Sequence, residues 1–199
     1  MTIKNLLLLP TICLILCSTI SAQEVYTKFY FSGYRVKLIT SEVFDIKMSD
    51  ANIQFTKEFK DGILSISVID QTGRVPKDEI ILYAKNIEYM YLHNCQLVMS
   101  EPIVADSMNF YCGSSHGELK IVANSLLVNV GGGSHVKLSG KTNIFNCEVG
   151  AGSSLEASEL FAEEGNVDAI GYSMARINMK EVLHLKKENA TVENVYKAK

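Results

Sequence analysis

Four groups of residues in this chain have types and spacings that chemistry can use. His116 and His135 lie 19 positions apart, each beside a Gly/Ser-rich turn signal. Stacked on neighbouring coils of a repeat, two imidazoles could hold a metal ion between them. A protein metal centre needs a third or fourth ligand, and no further carboxylate or thiol keeps that spacing. Both histidines are therefore expected as exposed turn residues, and no metal site is assigned. Glu163, Glu164 and Asp168 raise the question of sugar hydrolysis, which uses two carboxyl groups flanking the scissile bond. Such a site needs acids that converge from several strands on one face. Here acids alternate with lysines at equivalent positions, the pattern of a solvated surface. No catalytic residue and no cofactor site is assigned.

Tyr83, Tyr89, Tyr91 and Tyr111 form the third group. Tyrosines so placed can make a strip on which sugar rings stack, but the same rings also fill space between elements. Packing between the N-terminal strands and the first repeats is the expected use. The fourth group is cysteine, of which the chain has 5. Cys13 and Cys17 fall in the leader described below, so Cys95, Cys112 and Cys147 remain. Their spacing is not that of a zinc knuckle, and an odd number leaves at least one free thiol. Inward-facing positions, where a free cysteine acts as a small apolar residue, are expected for Cys147 and Cys112. Asn189-Ala190-Thr191 matches the N-glycosylation acceptor pattern and Asp106-Ser107-Met108 a bacterial O-glycosylation pattern, and short patterns often match by chance. The basic end, with Lys186, Lys187, Lys197 and Lys199, reads as a solvated tail.

The elements that position these groups begin after a leader. Lys4 gives a short basic start, residues 6–20 are almost wholly apolar, and Ala22 ends the stretch on a small residue. A signal peptide over residues 1–22 is expected, because the apolar run is shorter than the roughly 20 residues of a membrane-spanning helix. Cys13 follows Ile12 and Cys17 follows Leu16, poor contexts for lipid attachment. Soluble export is the reading, to the periplasm, the outer-membrane surface or the medium. Removing Lys4 from the 19 basic residues leaves 18 against 22 acidic ones, a net charge of −4. That balance gives no electrostatic footprint for nucleic acid. No later segment is apolar and long enough to span a membrane as a helix.

Helical periodicity is nearly absent. Residues 181–188 are the best helical candidate and define no helical face. Strand signals dominate instead. Residues 29–31 and 34–39 flank Ser32-Gly33, and 43–48 alternate. Asp61-Gly62 separates β-prone runs at 53–59 and 63–69, which is a hairpin signature. Residues 23–75 therefore read as antiparallel N-terminal strands, and 76–199 as stacked rungs.

The repeat is clearest from residue 105. Ser114, Ser134, Ser153 and Ser173 recur at intervals of 20, 19 and 20 residues. Six positions before them stand Met108, Val128, Cys147 and Val167. Four before stand Phe110, Val130, Val149 and Ala169. Alternating pairs follow: Val136/Leu138, Leu155/Ala157 and Ala175/Ile177. Two extra residues in the first copy put Leu119/Ile121 in that place. Lys120, Lys137, Glu156 and Arg176 sit between the pairs, on the outward face. Period two within a copy puts the apolar residues on one strand face, and the longer period stacks equivalent positions. The expected fold is all-β, a β-solenoid with rungs of about 19–20 residues. One rung alone cannot offset backbone entropy of roughly 1–2 kcal/mol per residue, so neighbours must stack and the ends must be capped. Residues 87–92 fit two registers. A rung of about 21 turns Ile87, Tyr89 and Tyr91 inward, and one of about 20 turns Met90 and Leu92 inward.

Several segments in order resemble the head GIN domain family, proposed auto-transporter adhesins common among secreted proteins of Bacteroidetes-type bacteria. Tyr34-Arg35-Val36-Lys37-Leu38 fits its opening F-x-x-h-x-h segment. Asp61-Gly62-Ile63-Leu64-Ser65-Ile66 fits its D-G-x-L-x-I motif. Gly133-Ser134-His135-Val136 and Gly152-Ser153-Ser154-Leu155 fit its S-G-S-G-D-I-like rungs without their Asp. Residues 190–196 fit its terminal strand. The resemblance covers nearly all of 23–199 and implies a right-handed single-stranded β-helix. The resemblance implies no established activity; the chain as a whole reads as a non-catalytic exported envelope or surface protein with adhesin-like binding of a glycan, polymer or protein. Two alternatives stand beside it: a periplasmic structural or assembly protein acting as a homo-oligomer, and a degenerate carbohydrate-active β-helix enzyme.

Overall fold

The computed structural model describes residues 26–49, 55–68 and 79–197; the expected signal peptide lies outside them. Strands carry nearly all of it. The first eight are short: β1 (Lys28–Ser32), β2 (Arg35–Thr40), β3 (Asp45–Met48), β4 (Phe55–Lys60), β5 (Ile63–Val68), β6 (Glu79–Ala84), β7 (Tyr89–His93) and β8 (Gln96–Met99). Five long strands follow: β9 (Ile103–Gly113), β10 (His116–Gly131), β11 (His135–Val149), β12 (Ser154–Ile170) and β13 (Met174–Glu188). The short β14 (Thr191–Asn194) ends the series. Residues 181–188, the helical candidate, are extended as the last part of β13. Parallel partners in β12 from Glu164 to Ile170 take up their backbone groups, and tertiary pairing overrides a weak local preference.

The chain winds as a β-solenoid of about five turns. One ladder runs β4-β5-β1-β7-β9-β10-β11-β12-β13. A second runs β3-β6-β2-β8-β10 and then shares the long strands, which bend and serve both. The antiparallel pairing expected near the N-terminus occurs in β4–β5 and in β3–β6. Asp61 and Gly62 close the β4–β5 hairpin at φ of 53° and 80°, the two left-handed residues of a turn that matches strand twist. β1 and β2 join the parallel stack instead. Phe29 lies opposite both Leu64 and Met90, and Val36 opposite both Ile80 and Leu97. The coil made by β1 and β2 is thus first in sequence but second in space.

Inward rows form the core. One runs Ile66, Phe31, Leu92, Cys112, Val130, Val149, Ala169 and another Leu64, Phe29, Met90, Phe110, Val128, Cys147, Val167, all buried. Large side chains fill the N-terminal end of the first row and small ones its C-terminal end. Burying one such side chain contributes about 1.5–3 kcal/mol. Met90 and Leu92 point inward, so the register of about 20 holds in β7, and Tyr89 and Tyr91 face outward.

The first repeat needs a correction. Ser115, not Ser114, aligns with Ser134, because His116 lies opposite His135. Leu119 faces Leu138 and Gly117 takes the place of Val136, so no two-residue insertion follows the serine. Met108 pairs with Leu126 rather than Val128. A shift of two preserves strand parity, so the inward assignments survive while the partners change.

Ser115, Ser134, Ser153 and Ser173 are at most 3% exposed and line one inner corner. The Ser134 hydroxyl accepts the Ser115 N–H (3.1 Å), that of Ser153 the Ser134 N–H (3.1 Å), and that of Ser115 the Cys95 N–H (2.8 Å). Ser115 donates in turn to the Gly113 carbonyl (2.8 Å), and Ser173 to that of Val149 (2.8 Å). The ladder satisfies turn backbone groups that are cut off from water.

The two ends differ. Tyr26, Phe44, Phe59 and Phe29 close the N-terminal end, with ring centroids 4.7 Å (Tyr26–Phe44), 5.3 Å (Tyr26–Phe59) and 6.1 Å (Phe29–Phe44) apart. At the other end β14 pairs only with Met174–Ile177 of β13. The Asn194 amide accepts the Met179 N–H (3.0 Å) and donates to the Met179 carbonyl (2.8 Å), and Tyr196 packs on Phe161. Among the described residues no coil lies over the last part of β13, and Leu183 and Leu185 are 55% and 53% exposed.

Candidate binding face

The sequence candidates fall on different faces. His116 and His135 are direct neighbours across β10 and β11, because the two extra residues expected in the first copy do not separate them. Both are exposed, and His135 Nδ1 lies 3.2 Å from the Gly133 carbonyl oxygen. Among the described residues no group of three or more His, Cys, Asp or Glu is placed to hold a metal ion.

Glu163 and Glu164 sit at a bend of β12, and Asp168 lies further along the strand. Glu163 pairs with Lys180 at 3.0 Å and Asp168 with His184 at 3.5 Å. The outward row between the apolar pairs runs Glu118, Lys137, Glu156, Arg176, Glu193, with Glu118 in the place expected for Lys120. Charges alternate along it, and Arg176 reaches Glu193 (3.1 Å) and Glu156 (3.8 Å). Exposed pairs of this kind contribute about 0.2–1 kcal/mol each.

Cys95, Cys112 and Cys147 are all buried and free. Burial pushes the Cys112 thiol up to about 11 and the Cys147 thiol to about 12. Nucleophilic or metal-binding cysteines need the thiolate near neutral pH, so these three act as packing residues. Lys186 and Lys187, expected in a tail, belong to β13, and Lys199 lies outside the described residues. Asn189 is a left-handed turn residue (φ 50°) whose carbonyl accepts the Tyr172 N–H.

The tyrosines give the most distinctive surface. Parallel register brings Tyr30, Tyr91 and Tyr111 side by side on β1, β7 and β9. Tyr89 lies one outward position away, between Lys28 and Asn109. Tyr30 and Tyr91 stack, with centroids 5.1 Å apart and planes at 10°. Tyr89 and Tyr91 both meet Tyr111, at 5.3 and 6.3 Å, with tilted rings. Tyr91 leans onto the next coil. A Cβ on Gly113 would lie 3.5 Å from its hydroxyl, so the glycine leaves room for the ring to lie along the sheet. All four tyrosines are half-buried on the outer surface of the sheet. Burial, then the neighbouring phenols of Tyr111, Tyr91 and Tyr30, pushes the Tyr89 hydroxyl pKa up. Tyr83 is elsewhere, on β6 under the Lys47 ammonium. Tyr30 was not legible as a member, because β1 reaches this face only by pairing with strands far away in sequence.

Polar groups surround the shelf. Asn129 continues the Tyr111 row and donates to Glu148 (3.0 Å). Beside Tyr89 an open depression of about 370 Å³ is lined by Asn86, Glu88, Ala105, Asp106 and Ser107. Thr27 donates to the Glu88 carboxylate (3.2 Å), and the Glu88 carbonyl accepts the Asn109 N–H (2.8 Å). A second depression of about 230 Å³ shares Asn86 and adds Thr40, Lys85 and Val104. Aromatic rings beside a few oriented polar groups are the usual make-up of a small-ligand surface.

Fold and face together define an all-β solenoid whose distinctive outer surface is a shelf of tyrosines rather than an acid or thiol centre. The chain belongs to the family described as "Putative auto-transporter adhesin, head GIN domain", which matches residues 30–190. Solved structures agree on the fold. A Parabacteroides merdae protein described as a "putative adhesin" superposes with a TM-score of 0.66 at 16% identity, covering 86% of this chain and 92% of its own. A Bacteroides fragilis "putative adhesin" gives 0.65 at 15% identity over 86% and 93%. A Parabacteroides distasonis "putative lipid binding protein" gives 0.57 at 12% identity over 86% and 93%. No curated protein matches this chain. Among the described residues no helix is long and apolar enough to cross a membrane.

Proposed function

We propose that this chain is an exported, non-catalytic, adhesin-like protein that binds a glycan through the tyrosine shelf. The observation that carries the reading is the outward cluster of Tyr30, Tyr89, Tyr91 and Tyr111 on three successive coils. Phenol rings offer sugars apolar contact and hydroxyl hydrogen bonds at low entropic cost, since the stacked rings are already ordered. Asn109, Asn129, Glu88 and Asp106 supply amide and carboxylate partners for sugar hydroxyls around them. The ion pairs that hold Glu163 and Asp168 fit a surface role for those acids better than a hydrolytic one.

The test is a glycan array, followed by titration of the best hit with the native protein and with Tyr91→Ala and Tyr111→Ala. Each variant should weaken binding about tenfold or more, since one aromatic contact contributes about 0.5–1.5 kcal/mol beyond its buried area. Circular dichroism should match the native protein. Binding that survives both substitutions, or an array without hits alongside capture of a surface protein that needs the same tyrosines, would replace the glycan reading.

A further inference from the structure

We infer that the open end of the solenoid pairs with the same end of a second copy of this chain, antiparallel, along residues 181–188. Among the described residues, the last part of β13 pairs with β12 on one side and has no strand paired on its far side. Its outer edge therefore offers a row of backbone N–H and C=O groups, the template on which another strand adds. Leu183 and Leu185 are more than half exposed there, and Leu185 is the last member of the inward row that runs through Cys147 and Val167. At the opposite end the aromatic cluster covers the core, and the outermost strand β4 has exposed residues that are polar apart from Phe59. An antiparallel match of this edge to the same edge of a second copy is an isologous contact, which closes as a two-fold pair.

The segment reads Lys180-Glu181-Val182-Leu183-His184-Leu185-Lys186-Lys187-Glu188, and its register selects a copy of itself as the partner. Leu183 is the extra residue where β13 slips against β12, because Gly165 pairs with Val182 and Asn166 with His184. Val182 and Leu185 consequently face inward, while Glu181 and Lys186 face outward with Glu164 and Asp168. An antiparallel pair centred on His184, with Leu183 left as the bulge, sets Leu185 against Val182 of the partner on the inner side. On the outer side it sets Lys186 against Glu181 of the partner. The two-fold axis makes each contact twice. A parallel pairing in register would oppose like charges instead.

Bulges and lysines also serve to blunt free edges, and charge reversal separates that role from pairing. The purified protein should run as a dimer in light scattering at micromolar concentration. Glu181→Lys and Lys186→Glu should each weaken the dimer at least about tenfold, because each reverses two cross-strand charge pairs. The double substitution should restore it. Both positions are exposed, so circular dichroism should show an unchanged fold. Oxidised His184→Cys should link covalently into dimers, since Cys95, Cys112 and Cys147 are buried. A protein that stays monomeric, or a dimer indifferent to all three charge variants, overturns the inference. Tyr91→Ala should leave the dimer intact, so this outcome is independent of the fate of the glycan reading.

Discussion

A buried serine at the same corner of successive coils would be costly if its hydroxyl had no partners, since burying an unsatisfied hydroxyl costs about 1–3 kcal/mol. Ser134 both accepts the Ser115 N–H and donates to the Cys112 carbonyl at 3.2 Å. Ser134→Ala strands those groups inside the corner. We expect a loss of about 2 kcal/mol, read as a fall in Tm of about 4–8 °C. Ser139→Ala, on an outward position, should stay within about 0.5 kcal/mol. The serine period was plain in the sequence, but two adjacent serines in the first copy left the choice between Ser114 and Ser115 open to error. Inward and outward sides were legible because a strand alternates with period two. Which residue lies opposite which was not, because a slip of two leaves that alternation unchanged. The same slip hid the direct pairing of His116 with His135.

Strands were legible wherever alternation ran for several residues, and the hairpin at Asp61-Gly62 followed from its turn chemistry. Two close approaches between coils carried no such signal. A Cβ on Gly165 would overlap the Phe145 carbonyl oxygen, and one on Gly140 (φ 120°) the Ile121 carbonyl oxygen. Gly165 occupies the inward position that Leu126 and Phe145 fill on the preceding coils. An apolar residue there looks harmless in the repeat pattern, yet the backbone of β11 already takes the space. Gly165→Val should therefore destabilise by about 3 kcal/mol or more, measured by urea unfolding. A midpoint equal to that of the native protein would show that the coils can separate to admit the side chain. The end of β13 was the least legible element, since its mixed apolar and charged residues fit no single face. Its extended form comes from the neighbouring strand.

At the scale of the whole molecule, position in the stack and position in the chain are different things. Removing residues 191–197 takes away β14 and the Tyr196 contact and costs one neighbour interface. Removing residues 28–40 takes β1 and β2 out of the middle, parting β5 from β7 and β6 from β8. In a stack held by nearest-neighbour contacts, the first truncation should lower Tm and keep a β-rich circular dichroism spectrum. The second should abolish cooperative unfolding, and a cooperative melt from it would show that the flanking coils can close on each other. Repeat spacing revealed the later coils because each residue pairs about 17–20 positions on, and it hid the early ones because Phe29 pairs 35 and 61 positions away. That wedge also sets an order of assembly. A ribosome delivers the chain from its N-terminus, so Phe29, Phe31, Val36 and Leu38 emerge first and wait with their apolar side chains uncovered. Their last neighbour strand ends only at Met99. From Ile103 onward each new coil can dock on one already made. β1 and β2 are thus idle until synthesis has passed Met99, and the coils after them can fold as fast as they arrive.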